Sequence, residues 1–479
     1  MKNIWNTLVQ AVSDGLMVRS DSRQVNPGEV FVAAPGASVD GAAFIPSALE
    51  RGAKWIVARP GTTLPDGADA TLVEHDEPRK ALGELAAAYF KTAEHGQTVI
   101  GITGTNGKTT VTYMLEHVLA AAGRKVGVIG TVNYRWPGFA LDAAMTTPDC
   151  WQLHEIMANM AAAGVDTVIM EVSSHALDQD RVAGLGYDVA VLTNVTQDHL
   201  DYHKTMDAYF NAKARLFTDV PKAGKTTVIN VDDPYGRILL DRCPDAIGYG
   251  LYYPATGEAR GLWGDIVSCD SRGVHLSMKF GEERWELQSP LIGKHNASNL
   301  LAVQGAALAL GVKPRRLKAL EKFCGVPGRL ERIDNRRGLN VFVDYAHTPD
   351  ALENVLSSVK ELDFKRLFVV FGCGGDRDRA KRPLMGEAVS HYADVAVLTS
   401  DNPRSENSVA IMNDVRPGLS SCKYVIENPD RRGAITAALG EMRSGDVLVI
   451  AGKGHETYQE IRGTRLPFSD AQVVREITS

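Results

Sequence analysis

Residues 98 to 110 read TVIGITGTNGKTT, an apolar run that breaks into a glycine-rich turn and ends in Lys108, Thr109 and Thr110. Thr98 to Ile102 have the composition of a buried strand, and Val111, Met114, Leu115, Val118 and Leu119 then recur at helical spacing. The turn must therefore lie between the carboxyl end of a strand and the amino end of a helix. There Gly104 and Gly107 let the backbone wrap an anion, first-turn N–H groups point at it, and Lys108 adds a point charge for β- and γ-phosphates. Thr109 is placed to hold Mg²⁺. The longer phosphate-loop pattern asks for glycine where Ile102 stands. The match is thus to the shorter form G-T-N-G-K-T-T, with Thr105 and Asn106 inside the turn; the alternative is an ordinary glycine turn before a helix.

The same strand-helix alternation organises the rest of the chain. At 479 residues it has room for about three domains. Residues 1–94 carry EVFVAA (Glu29 to Ala34) and KWIVAR (Lys54 to Arg59), a helix through Ile45 to Arg51 and another through Ala81 to Lys91, with a boundary at TAEHGQ. From residue 95 the runs KVGVIGT, DTVIMEVSSH, DVAVLTNV and TTVINVDD follow, apolar enough for a parallel sheet covered on both faces. Residues 251 to 290 alternate instead (HLSMKF, RWELQS), as an antiparallel annex does, and a helix from Asn299 to Gly311 follows. After GVPGRLE a third α/β series begins: NVFVDYA, RLFVVFGCGG, DVAVLTSD, KYVIEN and DVLVIAGKG. The expected fold class is α/β with three domains, 1–94, 95–326 and 327–479, the central one doubly wound and the last Rossmann-like. Ligands of open parallel sheets bind at the carboxyl ends of strands. Asp344, Asp376, Arg377, Asp401, Arg404 and Lys453 stand at such ends.

Composition narrows the function. A formal net charge of -6 argues against a general nucleic-acid binder. Cys150, Cys243, Cys269, Cys324, Cys373 and Cys422 form no C-x-x-C pair, which fits reduced thiols in a cytoplasmic protein better than zinc or disulfides. The amino terminus lacks an apolar leader core, and the stretch near Leu300 to Val312 is too short for a bilayer. A soluble, unprocessed protein without membrane insertion is expected.

Glu171 stands where one buried strand ends, and Asp198 and His199 where the next does. Thr109 and Glu171 make a sensible oxygen pair for Mg²⁺, with His199 a less usual ligand; taken alone, His199 reads more often as a structural histidine, a reading that its place after a strand weakens. Lys213, in the helix YFNAKARLF, reads from spacing alone as a solvated lysine.

G-T-N-G-K-T-T, E-V-S-S-H, T-N-V-T-Q-D-H-L-D-Y-H, N-A-K-A-R-L-F, G-K-H-N-A-S-N, D-Y-A-H-T-P-D and A-G-K-G-H-E occur in the order seen in the muramyl ligases of peptidoglycan synthesis. The chain resembles that family over nearly its whole length, most closely the members that extend UDP-N-acetylmuramoyl-L-alanyl-D-glutamate. The resemblance implies an ATP- and Mg²⁺-dependent ligase acting through an acyl phosphate, taken as a monomer. It implies that Lys213 is carbamylated and helps bind a second Mg²⁺, which replaces the solvated reading. It assigns His295, Asn296 and Asn299 to adenine and phosphates, and Arg329 and Asp344 to the nucleotide from the third domain. Thr146, Thr147, Ser173, Gln179 and Arg181 fall around the muramoyl-dipeptide, and Ser20 and Ser22 in a uridine-nucleotide domain at the amino end. Met145 stands where relatives often have asparagine, and the loop GASVDG lacks an expected polar pair.

SDNPRSEN, residues 400 to 407, resembles the D-N-P-R signature of ligases that add meso-2,6-diaminopimelate in place of lysine. An arginine such as Arg404 grips a second carboxylate through two parallel bonds and meets lysine as an unpaired like charge. Asp401, Asn402 and Pro403 complete the run, and Arg377, Gly452 and Glu456 match further ligand positions, Glu456 being suited to an ammonium. The bland reading is a surface turn fixed by Pro403. The rivals are a lysine-adding ligase, a folylpolyglutamate synthase, which has no need of Arg404 with Arg377, and a nucleotide switch, for which no N-K-x-D motif is present.

Overall fold

The apolar runs become strands, most of them parallel. The computed structural model describes residues 2–36, 39–219, 221–251, 261–270, 272–323, 325–360 and 362–479. Cys324, and Ala37 and Ser38 of the GASVDG loop, lie outside them. The chain divides into two compact units, Met1–Trp263 with Asn299–Leu317, and Gly264–Ser298 with Lys318–Ser479.

The first unit opens with four parallel strands in chain order, Val18–Arg19, Val30–Val32, Trp55–Ala58 and Thr71–Glu74. The helices Lys2–Ser13 and Pro78–Tyr89 contribute Leu8, Val12, Ala81 and Leu85 to the core on this sheet. The second helix starts three residues before the expected Ala81, because proline fits a helix's first turn, where its missing N–H costs nothing. It packs on the helix Cys150–Ala162, with Tyr89 and Phe90 ring centroids 5.0 and 5.1 Å from Trp151. TAEHGQ forms a short 3₁₀ turn, Thr92–His95, whose buried Thr92 lies 2.8 Å from His154 Nδ1.

The larger sheet of this unit runs Ile247–Gly250, Pro221–Asn230, Tyr187–Leu192, Thr98–Thr103, Thr167–Glu171, Val126–Ile129, Asn133–Trp136, Phe139–Asp142. The first six are parallel and the last two form an antiparallel hairpin that the sequence reading did not anticipate. Because Ile102 pairs with Glu171, and Leu192 with Thr103, the loop after Thr103 opens between two neighbouring strand ends.

In the second unit, Gly273–Phe280 and Glu283–Ser289 pair antiparallel, the hairpin expected of HLSMKF and RWELQS. The C-terminal sheet runs Glu331–Arg332, Asn340–Asp344, Val447–Ala451, Leu367–Phe371, Val395–Leu398, Val425–Glu427, parallel after its first strand. Its four central strands, Asn340–Asp344, Val447–Ala451, Leu367–Phe371 and Val395–Leu398, are buried on both faces, as their apolar runs require.

The helix expected from Asn299 to Gly311 spans Lys294–Ala309. Gly293, at φ 88°, turns the chain into it, and Asn296 Nδ2 donates to Ile292 O at 2.8 Å. His295, Asn296 and Asn299 thus sit in its first two turns. Among the described residues no helix is long and apolar enough to cross a membrane, and the five described cysteines are free.

Candidate active site

The phosphate loop takes the predicted form, strand Thr98–Thr103, turn, then helix Lys108–Ala121. Gly104 and Gly107 adopt φ 149° and 85°. A Cβ at Gly104 would run into Thr193 Oγ1, and one at Gly107 would lie 2.5 Å from Asn299 Oδ1, so a side chain at either would fill the cradle. The turn is belted from the next strand: Thr105 N donates to Asn194 O (2.9 Å), Asn106 N to Asn194 Oδ1 (2.9 Å) and Thr193 Oγ1 to Asn106 O (2.6 Å). Lys108 Nζ donates to Gly104 O (2.9 Å) and Thr105 O (2.8 Å), which holds its charge over the turn. Thr109 and Thr110 occupy the helix's first turn, where N–H groups lack helical acceptors. A backbone cradle with one cation fits nucleotide phosphates.

Glu171, 1% exposed, is the hub beside it. Its Oε2 accepts from Thr109 Oγ1 (3.0 Å) and Thr131 Oγ1 (2.9 Å), and its Oε1 from Thr131 N (3.1 Å). Thr131 Oγ1 lies 3.1 Å from Thr146 Oγ1, Thr147 Oγ1 donates to Glu171 O (2.9 Å), and Ser173 N donates to Thr147 Oγ1 (3.1 Å). Arg181 donates to Gln179 Oε1 at 2.6 and 3.0 Å and to Thr147 O at 3.4 Å. The structure therefore links Thr146, Thr147, Ser173, Gln179 and Arg181 into one hydrogen-bonded network that reaches Glu171 through Thr131 and through its main-chain carbonyl. Carboxylate and hydroxyl oxygens are what a hard cation takes, so Thr109 and Glu171 fit Mg²⁺. Among the described residues no group of three His, Cys, Asp or Glu side chains is placed to hold a metal; such a site needs hydroxyl, carbamate or phosphate oxygens too.

Lys213 corrects the reading from spacing alone. The helix Met206–Thr218 buries Tyr209, Phe210, Ala212, Lys213, Ala214, Leu216 and Phe217, so Lys213 faces inward and is 2% exposed. Its Nζ donates to Gly104 O at 2.8 Å and stands 4.4 Å from the Tyr209 ring centroid. Burial, reinforced by the Lys108 ammonium, pushes this amine well below lysine's usual range. Two amines thus share one carbonyl of the phosphate loop. His199 lies in the loop after Tyr187–Leu192, exposed and left-handed at φ 52°, its Nε2 3.4 Å from Asp198 Oδ2. Its ring is 4.8 Å from His175 and 6.1 Å from Tyr209.

In the second unit four strand ends surround a cavity of about 290 Å³ lined by Tyr345, Arg377, Arg382, Asp401, Asn402, Arg404, Gly452 and Glu456, among others. Every residue expected to meet the amino acid lines it except Pro403, which is buried beneath. Arg404 is left-handed (φ 50°) and held at both backbone groups, its N donating to Glu460 O (3.1 Å) and its O accepting from Arg462 N (2.7 Å). Nη1 donates to Gly375 O at 2.8 Å. Asn402 Nδ2 donates to Glu456 Oε2 at 2.9 Å. Burial raises the Asp401 carboxyl above its ordinary range. A surface turn would not be built this way.

Asp344, 3% exposed, accepts from Leu330 N and Ala346 N, each at 2.7 Å, and burial raises its carboxyl. Arg329 reaches over Tyr345, 5.2 Å from its ring centroid. In the amino-terminal sheet, Ser20 is exposed and Ser22 is 5% exposed, in a 3₁₀ turn capped by Asp21. Sequence reading missed Thr131, Tyr209, Tyr345 and Arg382. Thr131 ends the run KVGVIGT, and the strand-end rule used for Glu171 would have found it; Tyr209 lies four residues before Lys213, one helical turn away.

Comparison with known proteins agrees with this layout. Residues 16–90 match the Mur ligase family, catalytic domain; residues 102–307 the Mur ligase middle domain; and residues 328–454 the Mur ligase, glutamate ligase domain. A UDP-N-acetylmuramoyl-L-alanyl-D-glutamate--2,6-diaminopimelate ligase of Lawsonia intracellularis is 52% identical over 462 residues, 96% of each chain. One of Synechococcus elongatus is 43% identical over 96% of this chain and 93% of its own. A solved structure of a UDP-N-acetylmuramoyl-L-alanyl-D-glutamate--2,6-diaminopimelate ligase superposes with a TM-score of 0.73 at 34% identity, covering 96% of this chain and 94% of that one. With three α/β domains of matching order and relatives this similar end to end, the chain belongs to the Mur ligase family.

Proposed function

We propose that this chain adds meso-2,6-diaminopimelate to the D-glutamyl carboxylate of UDP-N-acetylmuramoyl-L-alanyl-D-glutamate with hydrolysis of ATP to ADP, in peptidoglycan precursor synthesis. The observation that carries this reading is Arg404, pinned at both backbone groups on the wall of a cavity that Glu456 also lines. The pair offers a cation for one carboxylate and an anion for one ammonium. Names of relatives at 43–52% identity support the same substrates.

The γ-phosphate passes to the glutamyl carboxylate, the amine attacks the acyl phosphate, and the tetrahedral adduct expels phosphate. Such transfer needs positioning and charge neutralisation. Gly104 to Thr110 cradle the phosphates, with the Lys108 cation held over the turn. His295, Asn296, Asn299, Arg329 and Asp344 are assigned to the nucleotide, Thr146, Thr147, Ser173, Gln179 and Arg181 to the muramoyl-dipeptide, and Ser20 and Ser22 to uridine diphosphate. The Lys213 amine, whose hold on its proton burial weakens, would add CO₂ and lose a proton, becoming an anion. Thr109, Glu171, His199 and that carbamate would hold Mg²⁺, which would supply charge neutralisation at the transferred phosphate. Domain limits of 1–94, 95–326 and 327–479 and monomeric action in the cytoplasm belong to the same reading.

Substrate-dependent phosphate release with each candidate amino acid tests it. Diaminopimelate should support turnover far better than lysine or glutamate. Preference for lysine would overturn the substrate assignment.

A further inference from the structure

Behind the wall of the amino-acid cavity lies a lysine that never reaches it. Lys453 follows the strand Val447–Ala451 and is 0% exposed, yet its Nζ donates to Asn402 Oδ1 at 3.0 Å and Glu456 Oε2 at 2.9 Å and stands 3.5 Å from Asp401 Oδ1. All three partners line the cavity, and Lys453 does not.

A buried ammonium costs free energy unless its neighbours repay it, so its partners indicate its role. The nearby Arg431 is committed elsewhere: it pairs with Asp470, both fully buried, and donates to Ser400 O and Ala451 O. Lys453 is the cation that hydrogen-bonds Glu456 directly, and it shares Asp401 with the Arg431 charge.

The bonds also fix atoms. Asn402 Oδ1 accepts from Lys453 Nζ and from Glu460 N (2.9 Å), so only Nδ2 can face Glu456. Glu456 Oε2 then receives both Asn402 Nδ2 and Lys453 Nζ. Among the described residues its Oε1 accepts no hydrogen bond.

We propose that Lys453 is a positioning residue for the amino-acid substrate: it locks the Asn402 amide, occupies Glu456 Oε2 and leaves Glu456 Oε1 to receive the substrate's ammonium. This rests on reading the cavity as the diaminopimelate site. Lys453 touches no substrate and acts through Glu456.

A double-mutant cycle tests that dependence. Lys453→Gln keeps a donor of similar length without the charge, and Lys453→Met removes both; circular dichroism and thermal melting of each check the fold. Lys453→Gln should raise KM for diaminopimelate about tenfold or more, the scale of a hydrogen bond to a charged group. The KM values for ATP and the UDP-linked dipeptide should stay within about twofold, since neither is assigned to this wall. Added to Glu456→Gln, Lys453→Gln should cost nothing more, because its route of action is already gone. Losses that multiply across the cycle, a uniform rise in all three KM values, or an unchanged KM for diaminopimelate would each overturn the proposal. A wild-type enzyme indifferent to diaminopimelate would instead bring down the reading of the cavity, and this inference with it.

Discussion

The phosphate loop and the amino-acid cavity are held in shape by different physics. The loop is contiguous, Gly104 to Thr110, and it is braced at its own main-chain groups: Thr105 N on Asn194 O, Asn106 N on Asn194 Oδ1, Asn106 O under Thr193 Oγ1, and the carbonyls that receive Lys108 and Lys213. The cavity gathers residues from Tyr345 to Glu456 and is braced by charge, through Arg382 on Glu406 and Asp414 and Lys453 on Glu456 and Asp401. A site that must accept the same triphosphate in every turnover can be built from main chain. One that must tell diaminopimelate from lysine needs side chains whose replacement changes what is admitted.

On that contrast, the largest effect belongs to the loop's own cation, Lys108. Lys108→Ala should lose ligation by about 10³-fold, the upper end for removing one charge-stabilising group, with the fold intact by circular dichroism. Near-normal turnover in a folded variant would break the assignment. Arg404→Ala comes next. Diaminopimelate should lose about 2–5 kcal/mol of apparent affinity, as when one partner of a desolvated pair is truncated, while lysine loses little and can gain. Equal losses for both amino acids would mean that Arg404 supports the fold and does not read the substrate.

Lys213 joins the two modes, a side chain hydrogen-bonded to a loop carbonyl. Lys213→Ala should slow the acyl-phosphate step by about 10²-fold, and formate or acetate should restore part of it, since the missing part is an anion. A variant indifferent to added carboxylate would refute the carbamate.

The same contrast decides what could be read from the sequence. The loop was legible because strand, glycine turn and helix are adjacent and each declares itself by period or residue type. Sheet strands were legible because strands buried on both faces are unbroken apolar runs. The start of the helix at Lys294 was not, because GKHNASN is polar and only Gly293's left-handed turn marks it. Lys213 misread as solvated because helical spacing gives a face but not what covers it; its neighbours Tyr209 and Leu216 supply that only in three dimensions. In the cavity Arg404 and Glu456 came from resemblance, and Arg382 went unseen, since a charged residue on a helix looks like solvent-facing surface until Glu406 and Asp414 are brought to it.

The smallest expected effect tests the charge bracing directly. Glu406 accepts from Arg382 Nη2 (2.7 Å), Arg379 Nη2 (2.9 Å) and Asp376 N (2.6 Å), tying the turn after Leu367–Phe371 to the segment that carries Arg404. Chiefly through Arg382, its carboxyl is held down from an ordinary 4.5 to about 2. A carboxyl whose folded value lies below its unfolded value stabilises the fold above the unfolded value, and that contribution is lost as pH falls toward the folded one. Wild type should therefore exceed Glu406→Gln in urea midpoint at pH 7, and the gap should close between about pH 4.5 and 2. Other carboxyls are held below their ordinary range, among them Asp446 and Glu427, but they are common to both proteins and cancel in the difference. A gap that persists unchanged at pH 3 would mean that the segment is held by packing, as the phosphate loop is held by its backbone, and the contrast between the two sites would disappear.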